Sequence, residues 1–229
     1  MADCKLVIFD CDGTLMDSEV IAARAETEIM AEYGIEIGTD EFMQRFAGTS
    51  STFVKTTMEA ESGRHFPDDH FDKVKLKMHE LLWREVKVVD GTHAMLDALD
   101  YPRCICSNAG MEKLKLELTR GELWDRFRPY VYSAKDLEGV EQKPAPDLFL
   151  HAAKEFEAAP ESVVVIEDSV PGVQAGVAAG MLVIGSTAAS HCRPGHGEML
   201  MEAGAVTTVS RLADLPKTID GVMAWGGSL

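Results

Sequence analysis

Asp10 and Asp12 are two carboxylates separated by one cysteine. Gly13-Thr14-Leu15 follows them, and the apolar run Lys5-Leu-Val-Ile-Phe leads up to them. A carboxylate in this position can attack phosphorus to form an aspartyl-phosphate, which water then hydrolyses. A second carboxyl two residues on can protonate the leaving oxygen and afterwards deprotonate the water. Asp-X-Asp-Gly strings also occur in calcium loops of the helix–loop–helix kind. Those loops need further oxygen ligands and a late glutamate, which Leu15-Met16-Asp17-Ser18 does not supply in register, and an apolar strand ahead of the string is wrong for them.

Three further segments suit the same chemistry. Ser107-Asn108 can donate hydrogen bonds to phosphoryl oxygens, and Lys143, with Pro144 and Pro146 on either side of Ala145, can add a fixed cation where charge accumulates. Glu167-Asp168 brings two more acids. Mg²⁺ prefers hard oxygen ligands and keeps waters, so two or three carboxylates with a phosphate oxygen make a suitable site and let an anionic nucleophile approach an anionic phosphate. Concentrated positive charge is needed because the 229-residue chain carries a net charge of −16. That charge repels a nucleic-acid backbone, and no basic stripe offers a local exception.

Together these segments resemble the phosphatase branch of the haloacid dehalogenase superfamily. Its four signatures are matched in order by Asp10-Cys-Asp12-Gly-Thr-Leu, Ser107-Asn108, Lys143-Pro-Ala-Pro and Glu167-Asp168-Ser-Val-Pro-Gly172. The resemblance implies Asp10 as nucleophile and Asp12 as acid/base. It also implies Mg²⁺ held by the Asp10 carboxylate, the Asp12 backbone carbonyl and Asp168, with Glu167 nearby.

Dehalogenases of this kind have no general acid at the Asp12 position, and phosphonate-cleaving members generally carry a small residue there, so phosphate-ester chemistry is expected. Mutases similar to β-phosphoglucomutase are the alternative. They carry a histidine where this chain has Ala22, and a phosphate-binding arginine where Gly48-Thr-Ser-Ser51 gives Ser51. The stretches FDCDGTLMDSEVI, FLHAAKEF and EDSVPGVQAGVAAGM are similar to sugar-phosphate phosphatases of the bacterial 6-phosphogluconate phosphatase type. They imply a small phosphorylated sugar or sugar acid as substrate. A binding protein that has kept the fold without catalysis should have a broken position among Asp10, Asp12, Lys143 and Asp168, and all four are intact.

These residues must be positioned by alternating strands and helices. Apolar runs without polar alternation lie at 5–10, 103–108, 162–168 and 182–186, with a weaker one at 130–133, and helix-like segments lie at about 110–121, 146–157 and 170–180. The expectation is an α/β fold, a doubly wound, mainly parallel Rossmann-like sheet with the acids at the carboxyl ends of its strands. Residues 16–86 break the rhythm with amphipathic runs at about 18–33, 40–47, 51–61 and 68–86, the last beginning at Pro67-Asp-Asp. An all-helical cap inserted between residues 1–15 and a core resumed at 87–229 explains them. Within it Arg24, Arg45 and Lys55 are candidate substrate contacts, and His65, His70 and His79 are expected on helix surfaces. Lys113, Lys115, Glu117 and Arg120 read as a solvated helix face. Thr14 reads as a loop-fixing hydrogen-bonding residue. Gly172, Gly176 and Gly180, four apart, read as a close-packed helix side. The tail Gly226-Gly-Ser is expected to fray.

With 46% hydrophobic and 26% charged residues the chain can bury a substantial core. No stretch approaches the roughly 20 apolar residues that span a bilayer, and no basic start with a long apolar core opens the chain. A soluble protein is therefore expected. Five cysteines, most of them in or beside apparent strands, fit a reducing cytoplasm better than a stapled framework. Cys104-Ile-Cys106 lacks the spacing and the second pair of a zinc knuckle.

Overall fold

The computed structural model describes residues 3–46 and 49–226, the last two by backbone alone, so Gly48 and the Gly227-Ser228 tail lie outside the described residues. The chain folds as two compact units, residues 1–17 with 87–229 and residues 18–86. Met16 and Asp17, expected in the insertion, belong to the first unit. Met16 bridges to Val88, and the Asp17 N–H donates to the Lys87 carbonyl at 2.9 Å.

In chain order, β1 (Leu6–Phe9) is followed by α1 (Glu19–Glu32), α2 (Thr39–Phe46), α3 (Ser51–Ser62) and α4 (His70–Glu85). The first unit resumes with α5 (Thr92–Ala98), β2 (Arg103–Ser107), α6 (Met111–Arg120), α7 (Trp124–Phe127), β3 (Val131–Ser133) and α8 (Asp147–Glu155). It ends with β4 (Val163–Glu167), α9 (Val170–Ala178), β5 (Leu182–Ser186), α10 (His196–Glu202), β6 (Thr207–Val209) and α11 (Leu215–Gly226). The sheet order is β3-β2-β1-β4-β5-β6, and every pairing is parallel. The order reverses between β1 and β4, which are neighbours. Ligands of open α/β sheets bind beyond the strand ends at such a switch point, and Asp10 and Asp168 each follow one of those two strands directly.

The strands are buried because both faces of the sheet are covered. Leu6, Ile8, Cys104, Cys106, Val163 and Val165 share one core with Leu148, Phe149 and Ala152 of α8, Val173 of α9 and Leu200 of α10. Phe9, of opposite parity, meets the Phe127 ring of α7 edge-on at 6.0 Å. Cys104 and Cys106 are strand side chains within this core, and all five cysteines are free. The short, half-polar strand β6 gives no apolar run, so nothing in the pattern anticipates it. Among the described residues no helix is long and apolar enough to cross a membrane.

In the helical unit Ala23 and Met30 of α1 gather Ile35, Phe42, Phe46, Val54, Met58 and Phe66 into a separate core. Helix α4 begins at His70, later than Pro67 suggests. Pro67 instead accepts from the His70 N–H at 3.0 Å in a turn ahead of the helix. His70 is buried, not on the surface, and packs against the rings of Tyr33, Phe66 and Phe71. His65 is exposed in a loop, as the chain between α3 and α4 is not helical. Each candidate cation is paired within the unit: Arg24 with Glu85 at 2.6 Å, Arg45 with Glu61 at 2.6 Å and Lys55 with Glu59 at 2.5 Å.

His70 Nε2 lies 3.4 Å from Glu26 Oε2. Burial pushes the Glu26 carboxyl up to about 7 and pulls the His70 imidazole below its ordinary value, so each leans toward its uncharged form. A raised carboxyl pKa means that the folded chain holds this proton longer than the unfolded one. The stability it contributes is whole below 4.5, the ordinary glutamate value, and is lost as pH climbs through about 7. His70 acts in the opposite sense, so the useful comparison is between two proteins at each pH. Between mildly acidic and slightly alkaline buffer, Glu26→Gln should retain up to about 3 kcal/mol more stability than the parent in urea denaturation. Parallel curves for the two proteins would rule out this role of Glu26.

Candidate active site

The loop after β1 is made tight by its own backbone. Asp10 N–H continues the pairing with β4 by donating to the Ile166 carbonyl at 3.0 Å, and the N–H groups of Leu15 and Met16 both turn back to the Cys11 carbonyl. Gly13 has φ +75°, a left-handed conformation that suits glycine. A Cβ there would also overlap the Asp168 carboxylate. Thr14, fully buried, donates from Oγ1 to Asp168 Oδ1 at 2.7 Å. The ends of β1 and β4 are therefore sewn together across the switch point.

Lys143 sits at the centre of the cluster. Its buried Nζ donates to Asp10 Oδ1 at 2.5 Å, to Glu167 Oε1 at 2.6 Å and to the Cys106 carbonyl at 2.8 Å. Burial alone would favour the neutral amine, but Asp10 and Glu167 outweigh it and push the lysine pKa upward, so it stays an ammonium. Burial, together with Glu167, Asp168 and Asp12, pushes the Asp10 carboxyl up, against the pull of Lys143. Asn108 does a job not foreseen from its type. Its side-chain amide brackets the lysine backbone, accepting from the Lys143 N–H at 2.9 Å and donating to the Lys143 carbonyl at 3.2 Å. Ser107 Oγ accepts from the Ala109 N–H at 3.0 Å at the end of β2.

Glu167 is wholly buried. Its Oε2 accepts from the Asp168 N–H, the Ser169 N–H and the Ser169 hydroxyl, which in turn caps α9 by accepting from the Gly172 N–H. A Cβ on Gly172 would overlap the Glu167 carboxylate, and one on Gly176 would overlap Val183. Gly180 differs from these two. It has φ +74° just past α9, where its N–H and that of Met181 bond back to the carbonyls of Val177 and Gly176, so its role is to end the helix.

Two groups of residues join the cluster without having been expected. Lys113, read from sequence as part of a solvated face, is largely buried and pairs with Asp12, while its Nζ also lies 2.9 Å from Glu117 Oε1. Glu117 is fully buried, and burial followed by the Asp12 charge pushes its carboxyl up to about 8. The available signal was that Glu117 falls on the apolar stripe formed by Leu114 and Leu118. The second group lies in the loop after β5. His191 Nε2 is 3.1 Å from Asp168 Oδ2, His196 Nε2 donates to the Asp168 carbonyl at 2.6 Å, and Cys192 Sγ lies 3.6 Å from His191 Nε2. Burial tends to raise the Cys192 thiol, but its bonds to His191 and His196 win and lower it. Neither histidine has a spacing that links it to the four signatures.

Ligand oxygens of Asp10, Glu167 and Asp168 lie within 4.8 Å of one another, all buried. An all-oxygen, strongly acidic donor set of this size fits a hard divalent cation such as Mg²⁺.

The sequence model of haloacid dehalogenase-like hydrolases matches residues 7–186. The chain belongs to this family. It is therefore a hydrolase of the haloacid dehalogenase type, built on the Rossmann-like sheet described above. The 6-phosphogluconate phosphatase of Escherichia coli (strain K12) is 31% identical over 218 residues, 95% of each protein. The phosphorylated carbohydrates phosphatase of Thermotoga maritima is 28% identical over 213 residues, covering 90% of this chain and 94% of that protein. The crystal structure of a haloacid dehalogenase-like protein of unknown function from Agrobacterium tumefaciens superimposes with a TM-score of 0.89 at 44% identity, covering 95% of this chain and 98% of that one.

Removing the central cation of this family member tests the electrostatic argument. Lys143→Met leaves Asp10 and Glu167 buried without their partner, which costs about 3–5 kcal/mol. The deficit should appear in urea denaturation at neutral pH and shrink in acid as the carboxyls take up protons. A variant as stable as the parent at neutral pH would contradict the ion-pair account.

Proposed function

We propose that the protein is a Mg²⁺-dependent phosphatase that hydrolyses a small phosphorylated metabolite, a sugar phosphate or sugar-acid phosphate, through an aspartyl-phosphate on Asp10. The observation that carries this reading is the 2.5 Å contact of Asp10 Oδ1 with buried Lys143, beside Asp168 and two residues ahead of Asp12. The substrate class is supported by the phosphatase relatives in Escherichia coli and Thermotoga maritima.

In the proposed reaction an Asp10 oxygen attacks phosphorus and the bond from phosphorus to the ester oxygen breaks. Asp12 gives its proton to that leaving oxygen. The Asp12 carboxylate then takes a proton from water, whose oxygen attacks the aspartyl-phosphate; the bond from phosphorus to the Asp10 oxygen breaks and the carboxylate returns. Lys113, paired with Asp12, fixes the position of that carboxyl group beside the Asp10 loop. Lys143 keeps positive charge at the oxygens that gain negative charge, and the Ser107 hydroxyl and Asn108 amide line the same strand ends as further donors. The Asp10 carboxylate, the Asp12 backbone carbonyl and Asp168 would hold Mg²⁺, with Glu167 closing the site behind them through Lys143. The cation supplies charge neutralisation between nucleophile and phosphate.

Asp10→Asn is expected to abolish turnover while leaving the fold intact by circular dichroism. Phosphate label trapped by rapid acid quench should be recovered on the peptide carrying Asp10, and label on another residue would sink the assignment. Asp12→Asn should slow turnover by about 10²–10⁴-fold, the usual size of general acid–base help. Near-normal rates would mean that another group moves the proton. Chelation should stop release of free phosphate from a phosphorylated-sugar panel and Mg²⁺ should restore it. Undiminished release in chelator would remove the metal from the reading, and an isomerised sugar phosphate in place of free phosphate would make the protein a mutase.

A further inference from the structure

His191, Cys192 and His196 form a second group of ligand side chains, distinct in chemistry from the carboxylates. One donor atom from each lies within 4.8 Å of the other two. Imidazole and thiolate are the ligands of borderline-soft transition metals, whereas Mg²⁺ has little use for either. We propose that these three residues are a site for Zn²⁺ or a similar borderline-soft divalent cation, built from a different ligand set beside the hard-oxygen pocket of Asp10 and Asp168.

One donor separation already matches that of a bound metal. With Zn–S of about 2.3 Å and Zn–N of about 2.0 Å, a tetrahedral angle sets sulfur and nitrogen about 3.5 Å apart. The Cys192 Sγ to His191 Nε2 distance is 3.6 Å. All three side chains are half-buried, so the charge of a cation would be little screened there while an entry path remains. His191 Nδ1 is a buried nitrogen without a hydrogen-bond partner, and Nε2, which faces Cys192, contacts Asp168, so binding a metal through Nε2 exchanges that contact for the metal. The loop that carries the group is held before any metal arrives. Its Ser190 N–H and hydroxyl donate to Asp17 Oδ1 at 3.1 and 2.8 Å, the Cys192 N–H donates to the Ala189 carbonyl, and Gly195, at φ +89°, turns the chain into α10. A ligand set fixed by its own loop loses less freedom on binding. Binding would release the Cys192 thiol proton to solvent, leave a fourth position for water, and draw His191 and His196 away from Asp168.

The test uses the full chain, freed of metal and then held in excess Mg²⁺ so that the carboxylate pocket is satisfied. Zn²⁺ is titrated against a chromophoric chelator. One equivalent should bind the parent protein, at least about tenfold more tightly than it binds Cys192→Ser or His196→Gln. Equal uptake by parent and variants would place the zinc elsewhere and overturn the proposal. The parent protein loaded with Co²⁺ gives a reading independent of any variant. A thiolate-to-cobalt charge-transfer band in the near ultraviolet is expected, and its absence would overturn the proposal. Neither readout depends on turnover, so both are separate from the outcome of the phosphatase reading.

Discussion

One ammonium group buried among carboxylates is the interaction on which the site depends. Lys143 reaches Asp10 and Glu167 together, and its ammonium is the positive charge that offsets the burial of those two acids. The chain as a whole is strongly acidic, so this cation works against the field of the protein that holds it. That explains why so much of the neighbouring structure serves to fix one side chain: Asn108 clamps its backbone on both sides, and the Cys106 carbonyl takes the third ammonium proton. Mutual attraction in a dry interior holds its value only when the geometry is fixed, because water is not there to compensate for a misplaced charge.

The remaining acids are fixed by the absence of space as much as by bonds. Gly13 and Gly172 lie where any side chain would run into Asp168 and Glu167, so the carboxylates fill the volume that two missing methyl groups leave. Ser169 connects Glu167 to the first turn of α9, which ties the direction of the helix to the position of that acid. Parallel pairing of β1 with β4 then brings the two halves of the cluster into register.

Much of this was legible in the residues themselves. Unbroken apolar runs such as Val163–Ile166, short and rich in β-branched residues, suit strands buried on both sides, and acids at their ends mark the reactive edge of a parallel sheet. What could not be read was partnership across distance. Lys113 and Glu117 look like an ordinary exposed i,i+4 pair, and only the placement of α6 beside the first loop turns them inward against Asp12. His191 and His196 lie in a segment of mixed composition whose path is set by β5 and β6, and β6 has no pattern of its own. His70 and Glu26 carry polar types that argue for a surface, yet the ring of Tyr33 and its neighbours encloses the histidine. In each case the partner is supplied by elements far away in the chain, and local periodicity, which at most turns Glu117 inward, does not name it.

The hydrogen bond from Thr14 to Asp168 spans 154 residues. During synthesis the acid pair after β1 leaves the ribosome well before the strand that completes the pocket, which follows only after the helical insertion and two further strands. A nascent or truncated chain ending before Asp168 therefore carries Asp10 and Asp12 with no pocket around them. Assembly of the charged cluster is tied to one of the longest-range pairings in the fold, and closing so long a loop is among the slower steps open to a folding chain.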